Sequence, residues 1–260
     1  DLGPWEVLRF DEYYVNGAKP KYKVPQVSAR NLSFRTPGFD LRINPRTGLV
    51  DHLALPGARK SLVGKGALQP VYWADLDHSW TSGSPRRAKS AAIMSVSPGW
   101  DKRPTERFRL ATAAEAAKLS PPAIDKWRPA KKTAAQALRI SERGPLRTVV
   151  EATFVCGASA LVRQYVVDHA GGLEIRDRVF NNHRDAMLKV LVPLAFEAAE
   201  SLSEALYSAA ARAPSAEHEE CTNQRWVAVR GRQADKPAHL AVLNSGSFAH
   251  SITADELALN

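Results

Sequence analysis

Three observations predict an all-β, antiparallel fold for this chain. Leu146–Val155, Leu161–Asp168, Leu173–Phe180 and Met187–Leu194 follow one another as strand-like runs rich in Val, Leu and Ile. The segments between them, Cys156-Gly157-Ala158-Ser159, His169-Ala170-Gly171-Gly172 and Asn181–Asp185, carry the Gly and Asn that tight turns require. Leu173–Phe180 alternates with period 2, the spacing of a strand with two unlike faces. Runs of about 5–8 residues punctuated this way form antiparallel meanders. The alternating strand–helix order of nucleotide-binding folds is excluded, and a large β-sandwich is the predicted architecture.

Residues 1–27 mix Trp5, Phe10, Tyr13, Tyr14 and Tyr22 with Pro4, Pro20 and Pro25, which interrupt any strand or helix. They read as a linker or the tail of a preceding module, and residues 28–260 as the β domain. Strand signals begin at Asn31–Arg35 and Phe39–Ile43, where Phe39, Leu41 and Ile43 share one face and Asp40 and Arg42 the other. Asn44–Gly48 is the next turn. The strand after it ends at Leu55, and Pro56-Gly57 closes the unit. Residues 82–137 are predicted to form loops and edge strands around one short helix, Ala111–Leu119, which Ser120-Pro121-Pro122 stops. Glu200–Arg212 also has helical composition. The opening at Asp1 and the strand-like ending Leu257–Asn260 read as a segment of a longer protein, truncated at its C-terminus.

A chain of 260 residues can bury an ample core. Its net charge of +9 includes Arg86-Arg87-Ala88-Lys89 and the cations of Lys126–Lys132. Nucleic-acid binding would require such clusters to be interleaved with aromatics, and Trp127 alone does this, so no nucleic-acid partner is predicted. No apolar run approaches the roughly 18 residues of a membrane helix, so no membrane partner is predicted. Cys156 and Cys221 lack CxxC spacing and read as two buried thiols.

Candidate chemistry is sparse. If Trp73–Asp77 is extended, Asp75 and Asp77 face one side about 6–7 Å apart at Cα. Side-chain tilt could bring them near the roughly 5 Å of retaining glycosidases. His78 beside them invites a metal reading, while the plainer reading is a loop of capping carboxylates with Trp80 plugging an edge. Asp177 shares a strand face with Leu173, Ile175 and Val179, so it requires a hydrogen-bonded or charged partner. Arg225-Trp226 has the guanidinium and indole that suit sugar hydroxyls and sugar faces, although Trp226 also heads an apolar strand and could be core. His52, His169, His183, His218, His239 and His250 show no metal-binding spacing.

Four motifs in order resemble the C-terminal region of family 38 glycoside hydrolases, the α-mannosidases. They are Asn44–Leu53 (NPRTGLVDHL), Ala74–Gly83 (ADLDHSWTSG), the stretch from Gly144-Pro145-Leu146-Arg147 through Leu188-Lys189 to Pro193, and Glu219–Val227 (EECTNQRWV) followed by Leu240–Asn244. The likeness spans residues 30–260. It departs at Phe180–Arg184, where the family carries a Trp-Glu or related pair, and at Leu206–Ala210, where the family has a Pro-aromatic-Gly turn. The resemblance implies a zinc-dependent retaining α-mannosidase whose nucleophile, acid and zinc ligands lie on an N-terminal α/β barrel that this chain lacks. The segment would be a galactose-mutarotase-like β-sandwich that buttresses the barrel and contributes sugar-contacting loops through Asp75, Asp77, His78, Trp80, Arg225 and Trp226. It would hold no catalytic residue and no zinc of its own, and its partners would be the barrel and an α-mannoside. A stand-alone carbohydrate-binding sandwich is the alternative.

Overall fold

The computed structural model describes residues 27–28, 30–74, 106–119, 136–183, 186–216 and 220–260. The elements in chain order begin with β1 (Leu32–Arg35), β2 (Asp40–Ile43), β3 (Val50–Ala54), β4 (Gln69–Ala74), β5 (Glu106–Arg107) and β6 (Arg109–Leu110). Helix α1 (Ala113–Leu119) precedes β7 (Leu138–Arg143), β8 (Arg147–Cys156), β9 (Ser159–Asp168), β10 (Leu173–Phe180) and β11 (Ala186–Pro193). The chain continues through β12 (Glu197–Ala205), β13 (Ser208–Arg212), β14 (Glu220–Thr222), β15 (Trp226–Gln233) and β16 (Lys236–Leu243). It ends with β17 (Ala249–Ile252) and β18 (Glu256–Leu259).

The fold is nearly all-β, and its strand pairings are antiparallel, as the alternation predicts. The strands divide among four sheets: β1-β2-β3; β10-β9-β8-β6 with β7 also on β8; β14-β17-β18-β11-β4-β5; and β13-β12-β15-β16. One continuous core joins them. It takes Leu32, Leu41 and Ile43 from the first sheet, Phe154 and Tyr165 from the second, Tyr72 and Leu257 from the third, and Val227 and Val229 from the fourth.

β10 has the predicted bounds, and β8 and β9 follow closely. β11 departs from the expected four-strand meander: it pairs with β4 and β18 in a different sheet. The turn after β10 explains the switch. Asn182 donates from its backbone to Ser159 Oγ (2.9 Å) and from its amide to the Ala158 carbonyl (3.0 Å), which folds the turn back over the β8–β9 hairpin. Tyr72 on β4 donates its hydroxyl to Asn181 Oδ1 (2.8 Å), so the strand that follows is delivered to β4.

Glu200–Arg212, of helical composition, is a β-hairpin instead. Helix propensity differs by at most about 0.7 kcal/mol per ordinary residue, and tertiary pairing overrides it. β12 is hydrogen-bonded on both sides, to β13 and β15, and buries Ser201 and Ser203 on its inner face. Gly231 faces the carbonyl of Glu197 at the bulge in the β12–β15 pairing, where any Cβ would lie 1.9 Å from that oxygen. The short helix is present but starts two residues later than expected. Thr112 caps it, accepting from Glu115 N (3.3 Å) while Glu115 accepts from Thr112 N (2.8 Å), a reciprocal capping box. Cys156 is buried as predicted, whereas Cys221 is only half-buried because it sits on the short strand β14.

The carboxylate that the sequence left in need of a partner has one. Asp177 takes both nitrogens of a bidentate pair from Arg163 (2.7 and 2.6 Å), its cross-strand neighbour on β9. The Arg163 side chain is completely buried, lies 5.8 Å from the Phe154 ring and 5.9 Å from the Tyr165 ring, and also donates to the Leu68 carbonyl. Asp177 is therefore structural.

Candidate functional site

Asp75, Asp77, His78 and Trp80 lie outside the described residues. Arg225 and Trp226 are placed at one end of the four-stranded sheet, and strand parity decides which way Trp226 faces. Val227 and Val229 are fully buried in the core, so Trp226, one residue out of phase, lies on the opposite, outer face. Trp226 heads the apolar strand β15 as expected, and this parity keeps its side chain out of the core. It is half-buried and pairs with Leu243 of β16, which is 83% exposed. The pairing of Ser203 with Val227, continued by one residue, sets Glu204 across from Trp226 on the other side.

The rim is built by three turns that meet at this end. Glu204 accepts from the Arg225 backbone (2.9 Å) and guanidinium (3.0 Å), while Gln224 N donates to the Glu204 carbonyl (3.2 Å). The hydrogen bond from Arg225 holds the Glu204 carboxyl below its ordinary value, so it is ionised at neutral pH. Asn244 N donates to the Arg225 carbonyl (2.7 Å), and Asn223 N to the Phe248 carbonyl (2.9 Å). These bonds bring the β12–β13 turn, the lead into β15 and the β16–β17 loop together. The turn exposes Leu206 and Tyr207, the latter by 99%, and the loop exposes Phe248. An indole, a phenol, a phenyl ring, a carboxylate and a guanidinium thus share one rim. This combination offers ring faces for stacking, and donors and acceptors for hydroxyls.

Tyr207 is also strained. Its φ of 58° places a non-glycine residue in the left-handed region while its side chain makes almost no contact with the rest of the fold. Ala234, in the two-residue turn between β15 and β16, has a similar φ of 54°, so the conformation belongs to the hairpin turn.

Two polar clusters had no legible signal. Ser201 Oγ lies 3.1 Å from His250 Nε2, and His250 Nδ1 lies 3.3 Å from Asn223 Oδ1, an order that resembles a hydrolytic triad. All three side chains are buried, so no substrate reaches them, and asparagine supplies no charge to stabilise an imidazolium. Burial, followed by the charge of Arg212, depresses the His250 pKa. The cluster is a neutral strut between β12 and β17.

The second cluster gathers Glu106, Cys156, His183 and Tyr72. Cys156 Sγ donates to Glu106 Oε2 (3.2 Å), His183 Nε2 bonds Glu106 Oε1 (3.0 Å), and His183 stacks on Tyr72 at 4.5 Å. Burial and the adjacent carboxylate push the Cys156 thiol up to about 12, so it is no nucleophile at neutral pH. The hydrogen-bonded pairs of the cluster are 50 and 77 positions apart along the chain, which hides it from any motif. Among the described residues no group of His, Cys, Asp and Glu is arranged to hold a metal ion, and no helix is long and apolar enough to cross a membrane.

Comparison with known proteins locates the fold. No protein-family model matches the chain, and no curated protein does. Among solved structures, it is similar to a protein in the glycosyl hydrolase family 38 from Enterococcus faecalis. The TM-score is 0.61 at 9% identity, covering 93% of this chain and 27% of that one. It is also similar to an α-mannosidase from Enterococcus faecalis V583, with a TM-score of 0.54 at 10% identity, covering 88% and 25%. At these identities the likeness is one of fold. The chain spans about a quarter of the length of either protein.

Proposed function

We propose that this chain is a β-sandwich segment of a retaining α-mannosidase-type glycoside hydrolase, and that it supports the catalytic domain and lends its rim to the sugar site. The observation that carries the proposal is the fold likeness to a family 38 protein along 93% of the chain. The four sequence motifs that occur in the family's order support it independently. In this reading the four sheets together form the mutarotase-like sandwich of residues 28–260, with residues 1–27 as the lead-in. The resemblance assigns the nucleophile and acid/base, the two carboxyl groups about 5–5.5 Å apart that retaining hydrolysis needs, to another part of the protein. Zinc, implied by the resemblance, is assigned to that same part. No step on this chain runs through it.

The work of this chain is then positioning. Trp226 and Tyr207 present ring faces, and the Arg225–Glu204 pair, which is exposed on the arginine side, presents donors and an ionised acceptor to sugar hydroxyls. Asp75, Asp77, His78 and Trp80 complete the proposed sugar contacts.

The test is an aryl α-mannoside assay of the longer protein and of the 260-residue chain alone. Hydrolysis by the longer protein with none by the chain alone is expected. Hydrolysis by the chain alone that disappears in Asp75→Asn or Asp77→Asn would overturn the division of labour.

A second reading, a carbohydrate-binding sandwich with no enzyme attached, is favoured by one observation: Tyr207 and Phe248 stand open beside Arg225. It predicts saturable binding of free mannosides by the chain itself together with an inactive longer protein.

A further inference from the structure

The outer face of the three-stranded sheet carries a second feature, independent of the glycosidase reading. A cleft of about 310 Å³ is lined by Arg30, Arg42 and Arg46, with Ser33, Asn44 and Asp51 between them. We infer that this cleft binds a tetrahedral oxyanion, the phosphate or sulfate group of a small molecule.

The charges in the cleft do not cancel. Elsewhere in the described structure Arg109 pairs with Glu115, Arg139 with Glu151, Arg147 with Glu142, Arg176 with Glu174 and Arg225 with Glu204. Among the described residues, Arg30, Arg42 and Arg46 have no such partner. The acid in the cleft, Asp51, is already engaged on both oxygens. It accepts from Asn44 Nδ2 (2.8 Å) and from Gly66 N (3.2 Å). A second cleft, of about 360 Å³ and on the sheet of β8, β9 and β10, differs in this respect, because both of its arginines, Arg147 and Arg176, are bound to glutamates.

The backbone that presents the guanidinium groups is held in place. Arg42 lies on β2, the central strand of its sheet, with Ser33 and His52 as its cross-strand neighbours on the same outer face. Arg46 leaves a closed turn in which Asn44 N donates to the Leu49 carbonyl (2.8 Å) and Arg46 N to Asn44 Oδ1 (2.8 Å). Gly48, at φ 72°, completes that turn where a Cβ would press on Leu110 and Phe154. Three planar forks and a hydroxyl offer more donors than one carboxylate can use, and they suit an ion with three or four acceptor oxygens and nearly two charges. No aromatic residue lines the cleft, so it has no platform for stacking bases, and its size suits a single group rather than a strand.

Calorimetric titration of the 260-residue chain with inorganic phosphate and with sulfate, at constant chloride, tests the inference. One saturable site is expected. Arg42→Gln and Arg46→Gln should each weaken binding by about tenfold or more, the value of a charge-assisted hydrogen bond. Arg147→Gln, in the second cleft, should leave it unchanged. All three side chains are exposed, and Arg46, on a turn, provides the test should Arg42→Gln lose its fold. Mannose 6-phosphate binding tighter than phosphate would place the anion on a sugar, and equal binding would assign recognition to the oxyanion itself. The absence of a saturable site, equal weakening by Arg147→Gln, or a single-stranded oligonucleotide that phosphate fails to displace would each overturn the inference.

Discussion

Asp177→Ala should be among the most destabilising substitutions in the second sheet. The substitution removes two short hydrogen bonds, at 2.7 and 2.6 Å, from a guanidinium that no solvent reaches. A guanidinium does not deprotonate in proteins, so Arg163 stays charged in its buried site when its partner is lost. Leaving one half of a buried pair uncompensated costs about 3–5 kcal/mol. The Asp177 side chain is 24% exposed, so water relieves part of the loss, and the lower end, about 3 kcal/mol, is expected. For a chain of this size that lowers the melting temperature by about 6–12 °C. Urea titration followed by tryptophan fluorescence would measure it, with an unchanged slope showing that the unfolding transition itself is unaltered. Glu174→Ala, which breaks an exposed pair on the same strand, should leave stability unchanged. The double substitution Arg163→Met/Asp177→Leu should be milder than Asp177→Ala, because it removes the charge along with its partner. A loss below about 1 kcal/mol for Asp177→Ala would mean that the pair behaves as a surface pair, and it would refute the account of the second sheet.

Tyr207→Gly should raise stability by about 1 kcal/mol by relieving a left-handed conformation, while weakening any mannoside interaction at the rim. Denaturation and substrate titration on one sample would read both effects. Stability should also fall as pH drops below the ordinary histidine value of 6.5. The folded state depresses the His250 pKa, so the unfolded chain binds the extra proton and gains on the folded one until pH passes the folded value. The effect should vanish in His250→Gln when melting is followed from pH 8 to 5. Cys156 should resist iodoacetamide at pH 8 until the chain unfolds, since its thiol is buried and pushed up to about 12. Mass spectrometry of labelled peptides with and without urea would show whether it does.

What the sequence discloses depends on how far apart the deciding residues lie. Alternation over four to eight residues located β1, β2 and β10, because inward residues such as Leu41 and Ile43 recur at every second position. It also flagged Asp177 as a carboxylate on an apolar face. Its partner Arg163 occupies the same parity as Leu161, Tyr165 and Val167, a cation among inward apolar residues, and the antiparallel register joins the two. The fate of β11 is not legible, since a hydrogen bond that Asn181 accepts from Tyr72 and one that Asn182 donates to Ser159, both far away in sequence, send it to another sheet. Nor is the hairpin at Glu200–Arg212, where alanine-rich composition favours helix but pairing on both edges decides. For the candidate site, Arg225 and Trp226 stood out by residue type. Their companions Glu204, Tyr207, Leu243 and Phe248 joined them only through the turns that meet at that end of the sheet. The strut of Ser201, His250 and Asn223 left no trace, because three ordinary polar residues acquire meaning only when they are buried together.

The most direct test of the central claim is kcat/KM for an aryl α-mannoside, measured in the longer protein with Trp226→Ala and Arg225→Ala alongside melting temperature. The account predicts a working α-mannosidase in which each substitution lowers kcat/KM by about tenfold, roughly 1.4 kcal/mol of lost sugar interaction, with melting temperature nearly unchanged. Unchanged kinetics with a large fall in melting temperature, or no α-mannoside hydrolysis by the unsubstituted protein, would contradict it.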